Sequence, residues 1–553
     1  MRIKSLAAVV ALSLSSASFA QTAAEPEFTA ERFRSHVAFL ADDLLEGRDT
    51  GSRGHEMAAH YVATQLQGLG LRPAGPNGSY YQQVPFVRYQ MTDAPASLSV
   101  GGQSFAHGQQ IIFGQSPFEG RLQAEAPVVF VGYGLHAPQY GLDDYRGLDV
   151  RGRIVVVLSG LPEGLPSDVA AHLSQDKRRQ ASERGAVGMI TLRTPAEAER
   201  MPFARMAGFA NRPGITWVGP NGQPHTSGSN VRFNATVDTP VAEALFQGAR
   251  RSYSQVMAEM AAGRRPRGFA LRPRVAVDRT SANTRVTSPN VVAMLPGSDP
   301  ALANEYVLLM GHLDHVGVGQ GEGDQIHNGA LDNATGIATL LEVARQMTQG
   351  GQRPRRPILF AAVTAEEKGL LGAEYLASNP VVGTGRVVGV VNLDMPVLLY
   401  NFSDVIAFGA EHSTLGPIVQ RAGARMNVAL TPDPLPQEGL FTRSDHYRFV
   451  QRGIPSVFLM TGFAGEGQQR FTEFLRTNYH SPRDDINQPI NWEAGARFAR
   501  LNYLIASEIA NAPEAPRWYR DSFFGTTFAP NSERAERPAA AAATPAATQP
   551  AAN

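Results

Sequence analysis

The 553 residues exceed what one ordinary domain holds, so two or more compact units are expected. Lys+Arg 50 balance Asp+Glu 50, which excludes the overall basic excess that meets nucleic-acid phosphates. Cysteine is absent, which excludes disulfides, thiolate zinc sites, a cysteine nucleophile and lipid attachment at an N-terminal cysteine; any metal must use histidine and carboxylate ligands.

Arg2 and Lys4, an apolar run over 6–14 and the small-x-small end Ser18-Phe19-Ala20 have the pattern of a cleaved secretory signal over 1–20. The run is too short to cross a bilayer as a helix. No later stretch is apolar enough to do so, so a soluble periplasmic or extracellular mature protein is expected. Phe33, Val37, Leu40 and Leu44 are spaced for one helix face; a Gly-containing break over 46–52 follows, and Ala58, Tyr61, Val62, Leu66 and Leu69 restart the period. Between about 126 and 278, short β-branched runs at 128–131 and 154–158 alternate with Gly-rich turns. A helical stretch over 177–184 interrupts them, and no acids or histidines there have ligand spacing. The segment reads as an inserted β-rich domain.

From about residue 288 the texture is strand alternating with helix. Runs at 290–295, 306–310, 358–363 and 387–391 are almost continuously apolar, as strands buried on both faces of a parallel sheet are. Ile337, Leu340, Leu341, Ala344 and Met347 mark an amphipathic helix between them. The pattern predicts an α/β fold of stacked layers. From about Asn531 the chain becomes Ala/Pro/Thr-rich and reads as a flexible tail.

The polar residues fall at one end of these strands. His312 and Asp314 follow the run ending at Met310, Glu366 and Glu367 follow Val363, and Asp394 follows Val391. Asp332 sits in a Gly-bounded turn before the helix. Ligand sites of open α/β sheets lie beyond the carboxyl ends of the strands. Taken singly, each group has a bland reading: a surface pair, a solvated helix start, a helix cap. Taken together they are carboxylates gathered in one cleft, which repel unless a cation is present, and a mixed His and carboxylate set suits zinc.

Gly311-His312-Leu313-Asp314-His315, the turn over 329–336, Thr364-Ala365-Glu366-Glu367, Asn392-Leu393-Asp394 and Tyr479-His480-Ser481-Pro482 closely resemble the signatures of zinc-peptidase family twenty-eight. That family includes aminopeptidase Y, glutamate carboxypeptidase and the glutaminyl cyclases. The segment 39–48 resembles the family's opening segment, and Val131-Gly132-Tyr133-Gly134 resembles part of its protease-associated domain. The resemblance implies an α/β/α sandwich around a mixed, mostly parallel sheet. It assigns residues 26–120 and 284–530 to that peptidase domain, 121–283 to an inserted β-rich protease-associated domain and 531–553 to the tail.

It also implies a secreted enzyme that removes N-terminal residues from peptides with two zinc ions per chain. His312 and Asp394 would hold one zinc, Glu367 and His480 the other, and Asp332 would bridge them. Glu366 would be the general base, the Asp314 carboxylate would orient His312, and Tyr479 would stabilise the oxyanion. Leu331 and Thr335 depart from the family's usual acid and serine, and neither removes a ligand. Asp445 and His446, in Arg443-Ser444-Asp445-His446, are candidates for the substrate side. His315, His327 and His412 read as packing or surface residues. Carboxypeptidase or dipeptidase activity, glutaminyl cyclisation and a non-catalytic binding role are the alternatives on the same fold. Gly-x-Ser-x-Gly is absent, which weighs against a serine hydrolase.

Overall fold

Strands buried on both faces need apolar side chains at every position, and the runs named above form such strands. The structure is a computed structural model and describes residues 27–350 and 353–538. The expected signal over 1–20 lies outside the described residues, as does the part of the expected tail over 539–553. The strands that build the scaffold are β1 (Tyr81–Met91), β2 (Gly120–Phe130), β3 (Ile154–Leu158), β4 (Gly188–Leu192), β5 (Asn234–Val237), β6 (Phe269–Leu295), β7 (Glu305–His312), β8 (Ile358–Val363), β9 (Arg386–Leu393), β10 (Asp404–Phe408) and β11 (Ser456–Thr461). The helices that matter here are α1 (Ala30–Leu40), α2 (Arg53–Gly68), α3 (Ser167–Glu183), α4 (Thr335–Gln349), α5 (Leu371–Ser378), α6 (His446–Val450) and α7 (Trp492–Asn511).

The central sheet runs β6–β8–β7–β9–β11–β10. Its four inner strands are parallel, and β6 and β10 lie antiparallel at the flanks. Period-two alternation sends neighbouring side chains to opposite faces. Val307 and Leu309 with Ile358, Phe360 and Ala362 therefore pack with Ile337 and Leu341 of α4 and Ile505 of α7. Leu308 and Met310 with Leu359, Ala361 and Val363 pack with Leu376 of α5 and Phe449 of α6. Helices thus cover both faces, and the predicted α/β/α sandwich with a mixed, mostly parallel sheet is the observed one.

Three expectations are corrected. First, β6 is one strand of 27 residues. Over 269–281 it pairs with β2, over 281–291 with β1, and over 291–295 with β8. The domain boundary expected at 283/284 therefore falls mid-strand, and the two units share β6. No glycine interrupts 269–295, so nothing stops the extended chain, and Pro273 is accommodated at a register shift. Second, the segment 121–283 is not simply β-rich, because β2, β3, β4 and β5 form a parallel ladder with α3 between β3 and β4. The buried face of α3 includes His172, Asp176, Lys177 and Gln180, which masks its helical periodicity. Third, residues 531–538 are held in place: Ala535 exchanges backbone hydrogen bonds with Trp518 and Arg520, and Arg537 pairs with Asp521 at 2.8 Å.

Leu44 also departs from its predicted place on the α1 face. The helix ends at Leu40, and the Asp42 side chain accepts from the Leu44 N–H to open a new turn. Leu44 is consequently 78% exposed and Leu45 2%. Among the described residues no helix is long and apolar enough to cross a membrane.

Two predictions follow from this packing. Leu309→Ala, in the core, should cost about 2–5 kcal/mol of stability, whereas Leu44→Ala should stay within about 0.5 kcal/mol; urea denaturation of both variants checks the contrast. The second concerns pH. His55 and His446 are fully buried, and burial pushes each down to about 3, with the Arg48 charge adding to the effect at His55. Unfolded imidazoles take up protons below about pH 6.5, but these folded ones do not. The unfolded chain therefore binds more protons, and stability should fall as pH drops from about 6.5 towards 3. His446→Phe, between the rings of Phe441 and Phe458, should flatten that slope in denaturation curves at pH 6.5 and 5.

Candidate metal centre

The carboxyl ends of β7, β8 and β9 deliver His312, the Glu366–Glu367 turn and Asp394 to one edge of the sheet. Asn333 ties this edge together. Its amide donates to the carbonyls of His312 (3.3 Å) and Leu393 (2.9 Å), and its oxygen accepts from Gly336 N and Met395 N, both at 3.1 Å. All four bonds an asparagine amide can make are therefore formed. Asp332, its neighbour, is fixed from the other side by Asp484, whose carboxylate accepts from Leu331 N (2.9 Å) and Asp332 N (3.0 Å). Ala365, Met395 and His480 have φ of 57°, 40° and 51°. Left-handed backbone is costly for such residues, and it clusters at functional turns.

The side chains form two groups that share Asp332. His312 Nε2 lies 3.2 Å from Asp332 Oδ1 and 3.0 Å from Asp394 Oδ1. His480 Nε2 lies 3.2 Å from Asp332 Oδ2 and 3.1 Å from Glu367 Oε2. His315 joins the second group, its Nδ1 2.7 Å from Glu367 Oε1. In each group one donor atom per residue falls within 4.8 Å of the others. His480 is the most open member, its side chain 36% exposed.

Electrostatics point the same way. Burial disfavours the His480 cation, yet Asp332 and Glu367 outweigh it and push the ring up to about 10. Burial is likewise outweighed at Glu367, which His315 and His480 hold down at about 2 against the repulsion of Asp332. At His480 the surrounding carboxylates thus favour positive charge. His315 Nε2 is buried without a hydrogen-bond partner. Three imidazoles and three carboxylates, with Asp332 common to both groups, suit a divalent metal of the zinc class.

The remaining predicted residues are distributed as follows. Glu366 is half-buried at the wall of a narrow cavity of about 50 Å³, together with His312, Asp332, Asp394 and Tyr479. Removal from water raises its carboxyl well above the usual range; His312 opposes this, and Asp394, Asp445 and Glu367 add to it. Tyr479 stacks on the His480 ring with centroids 3.9 Å apart, and burial plus the surrounding carboxylates raise its phenol. The expected role of the Asp314 carboxylate is corrected. His312 Nδ1 bonds the backbone carbonyl of Asp314 at 3.0 Å, while the carboxylate accepts from Glu366 N (3.0 Å) and Glu367 N (3.4 Å). The tight turn after β7 brings the carbonyl, not the side chain, against the ring.

Asp445 and His446 are fully buried, and the cavity wall at that segment is Arg443 and Ser444 instead. Ser444 Oγ donates to Asp394 Oδ2 and accepts from Asn392 Nδ2 at 2.6 Å. Sequence reading missed Ser444 and set His315 aside as packing, although the His-x-x-His spacing in 312–315 carried the signal. A larger cavity of about 780 Å³ lies at the opposite ends of the strands, beside Glu305, Arg386 and Trp518. Perturbed titratable groups converge on the narrow one, which makes it the candidate site. A third donor group, Asp168, Glu411 and His412, is partly exposed and links α3 to the 410–412 turn.

Part of the chain is similar in sequence to known proteins. Residues 290–506 match the model described as Peptidase family M28. Leupeptin-inactivating enzyme 1 of Streptomyces exfoliatus is 30% identical over 188 residues, 33% of this chain and 38% of that protein. A probable leucine aminopeptidase 2 of Aspergillus oryzae is 30% identical over 242 residues, 41% of this chain and 45% of its own. An aminopeptidase from Aneurinibacillus sp. strain AM-1 aligns structurally with a TM-score of 0.48 at 20% identity, over 88% of this chain and 95% of that one. The matched region spans 38–60% of the length of the first curated relatives. Residues 290–506, the stretch that matches the model of peptidase family M28, hold all six of the clustered imidazoles and carboxylates.

Proposed function

We propose that the chain is a zinc-dependent aminopeptidase that works with two metal ions and acts outside the cytoplasm. The observation that carries the two-metal reading is Asp332, whose two oxygens each face a different imidazole at 3.2 Å. His312 and Asp394 would complete one position, and His480 and Glu367 the other, with His315 beside Glu367. The family match supports zinc and peptide substrates, and the Aspergillus relative carries the aminopeptidase name. Export rests on the charged and then apolar pattern of the first twenty residues.

When bound, two such ions supply an activated water and charge to polarise a peptide carbonyl. The chain's own groups would do the rest. Glu366 takes a proton from the attacking water and returns it to the departing amide nitrogen; its raised pKa suits a group that must both accept and donate. Tyr479, kept protonated by burial, offers its hydroxyl to the oxygen on which negative charge develops. Asp314 holds the backbone of both glutamates, so that one faces the cavity while the other faces His480.

The second unit would shape the substrate side. His172 Nδ1 lies 2.7 Å from Tyr447 Oη, and Gln175 Nε2 donates to Thr442 Oγ1 at 3.3 Å. Thus α3 backs the segment that presents Arg443 and Ser444.

The neighbouring glutamates give the sharpest test. Glu366→Gln should lower kcat about a hundred- to ten-thousand-fold while keeping its zinc, whereas Glu367→Gln should lose zinc first. Rates on leucyl-p-nitroanilide and metal content of both variants check this. Zinc loss in Glu366→Gln with only rate loss in Glu367→Gln would exchange the roles. Turnover of N-acetylated peptides in place of free-amine substrates would favour the carboxypeptidase alternative.

A further inference from the structure

Beneath the two donor groups lies a buried cation that the proposed chemistry does not use. Arg48 is 1% exposed. Its Nε donates to the carbonyl of Leu313 at 2.9 Å, between His312 and Asp314. Its Nη1 donates to Asn328 O at 2.5 Å and to Leu40 O, and its Nη2 to Gly329 O at 3.1 Å, at the start of the turn that carries Asp332. The carbonyl of Arg48 in turn accepts from His315 N at 3.3 Å. We infer that Arg48 is a positioning residue for the metal centre: its guanidinium locks the turn holding His312 and His315 to the turn holding Asp332, and so sets the spacing of the two donor groups. The inference rests on the two-metal reading above and deepens it.

Three observations support this role over a pin for the N-terminal helices alone. Only one of the bonds, to Leu40, reaches α1; the others reach ligand-bearing turns. Next, none of these hydrogen bonds goes to a carboxylate, so the charge is left to act on its surroundings, and the acids it acts on are Asp484, Asp314, Asp332 and Glu367. A fixed cation there relieves repulsion among buried carboxylates whether or not metal is bound. Finally, the approach is close: a Cβ at Gly47 (φ 65°) would sit 2.5 Å from the carbonyls of Gly317 and His327. The turn preceding Arg48 is therefore pressed against the 317–327 hairpin and cannot carry the guanidinium elsewhere. Several carbonyls reached at once require the planar fork of arginine; a lysine ammonium has the charge but not the reach.

The test uses the full chain with Arg48→Met and Arg48→Lys. Zinc affinity is measured by competition with a chromophoric chelator, and site geometry by the visible spectrum of the cobalt-loaded protein, with circular dichroism and thermal unfolding as folding controls. Groups that orient metal ligands from behind are worth about ten- to a hundredfold in affinity. Arg48→Met should show that loss and an altered cobalt spectrum at temperatures where it is fully folded, with Arg48→Lys intermediate. If Arg48→Met does not fold, Arg48→Lys decides by the same two readouts. Folded variants that keep wild-type affinity and spectrum, even with a lower Tm, overturn the inference and leave Arg48 a structural pin. A wild-type chain that binds no metal overturns the two-metal reading and this inference together.

Discussion

Carboxylates packed side by side in a nearly dry cleft repel one another, and the architecture around this edge is arranged to hold them there. Two buried acids outside the proposed ligand set do so by the same device. Asp484 accepts two successive backbone N–H groups at Leu331 and Asp332, and Asp314 accepts two at Glu366 and Glu367. Each thereby fixes a turn that presents an acid to the cluster. Asn333 joins the ends of β7 and β9 through their carbonyls, and Ser444 holds the far oxygen of Asp394. The donor atoms are set by backbone that has little freedom left, which is the condition for a metal site of defined geometry.

The sheet supplies the rigidity on which this depends. Side chains of β7 and β8 alternate between two apolar clusters, one against α4 and α7, the other against α5 and α6. A strand clamped on both faces cannot slip in register without repacking both apolar clusters. Residues just past its carboxyl end therefore emerge at fixed points. The second unit is tied into the same frame through β6, so its contact with the 440–447 segment through α3 is part of the scaffold.

Much of this was legible in the sequence because strand burial and ligand placement both leave local marks. Continuous apolar runs gave β7, β8 and β9, and acids immediately after them gave Glu366, Glu367 and Asp394. What escaped depends on partners distant in sequence or on polar burial. Asp484 bonds residues about 150 positions earlier, and nothing in its own surroundings announces that. The face of α3 buries His172 and Lys177, so apolar periodicity understates it. The strand β6 reads as several pieces because residues 278–285 are mostly polar, although Arg279 and Ser281 among them are buried. The carboxylate of Asp314 faces the glutamate turn instead of His312, a choice made by a turn whose geometry no spacing rule supplies. His315 was visible, and its burial beside Glu367 is what changes its reading from packing to candidate ligand.

Asp332 faces an imidazole of each donor group, and the proposed function makes it the carboxylate shared by two metal positions. Anomalous diffraction from crystals of the zinc-loaded protein, measured on both sides of the zinc absorption edge, tests it most directly. The account predicts two anomalous peaks flanking Asp332, one beside His312 and Asp394 and the other beside His480 and Glu367. A single peak there, or zinc held only by Asp168, Glu411 and His412, would contradict it.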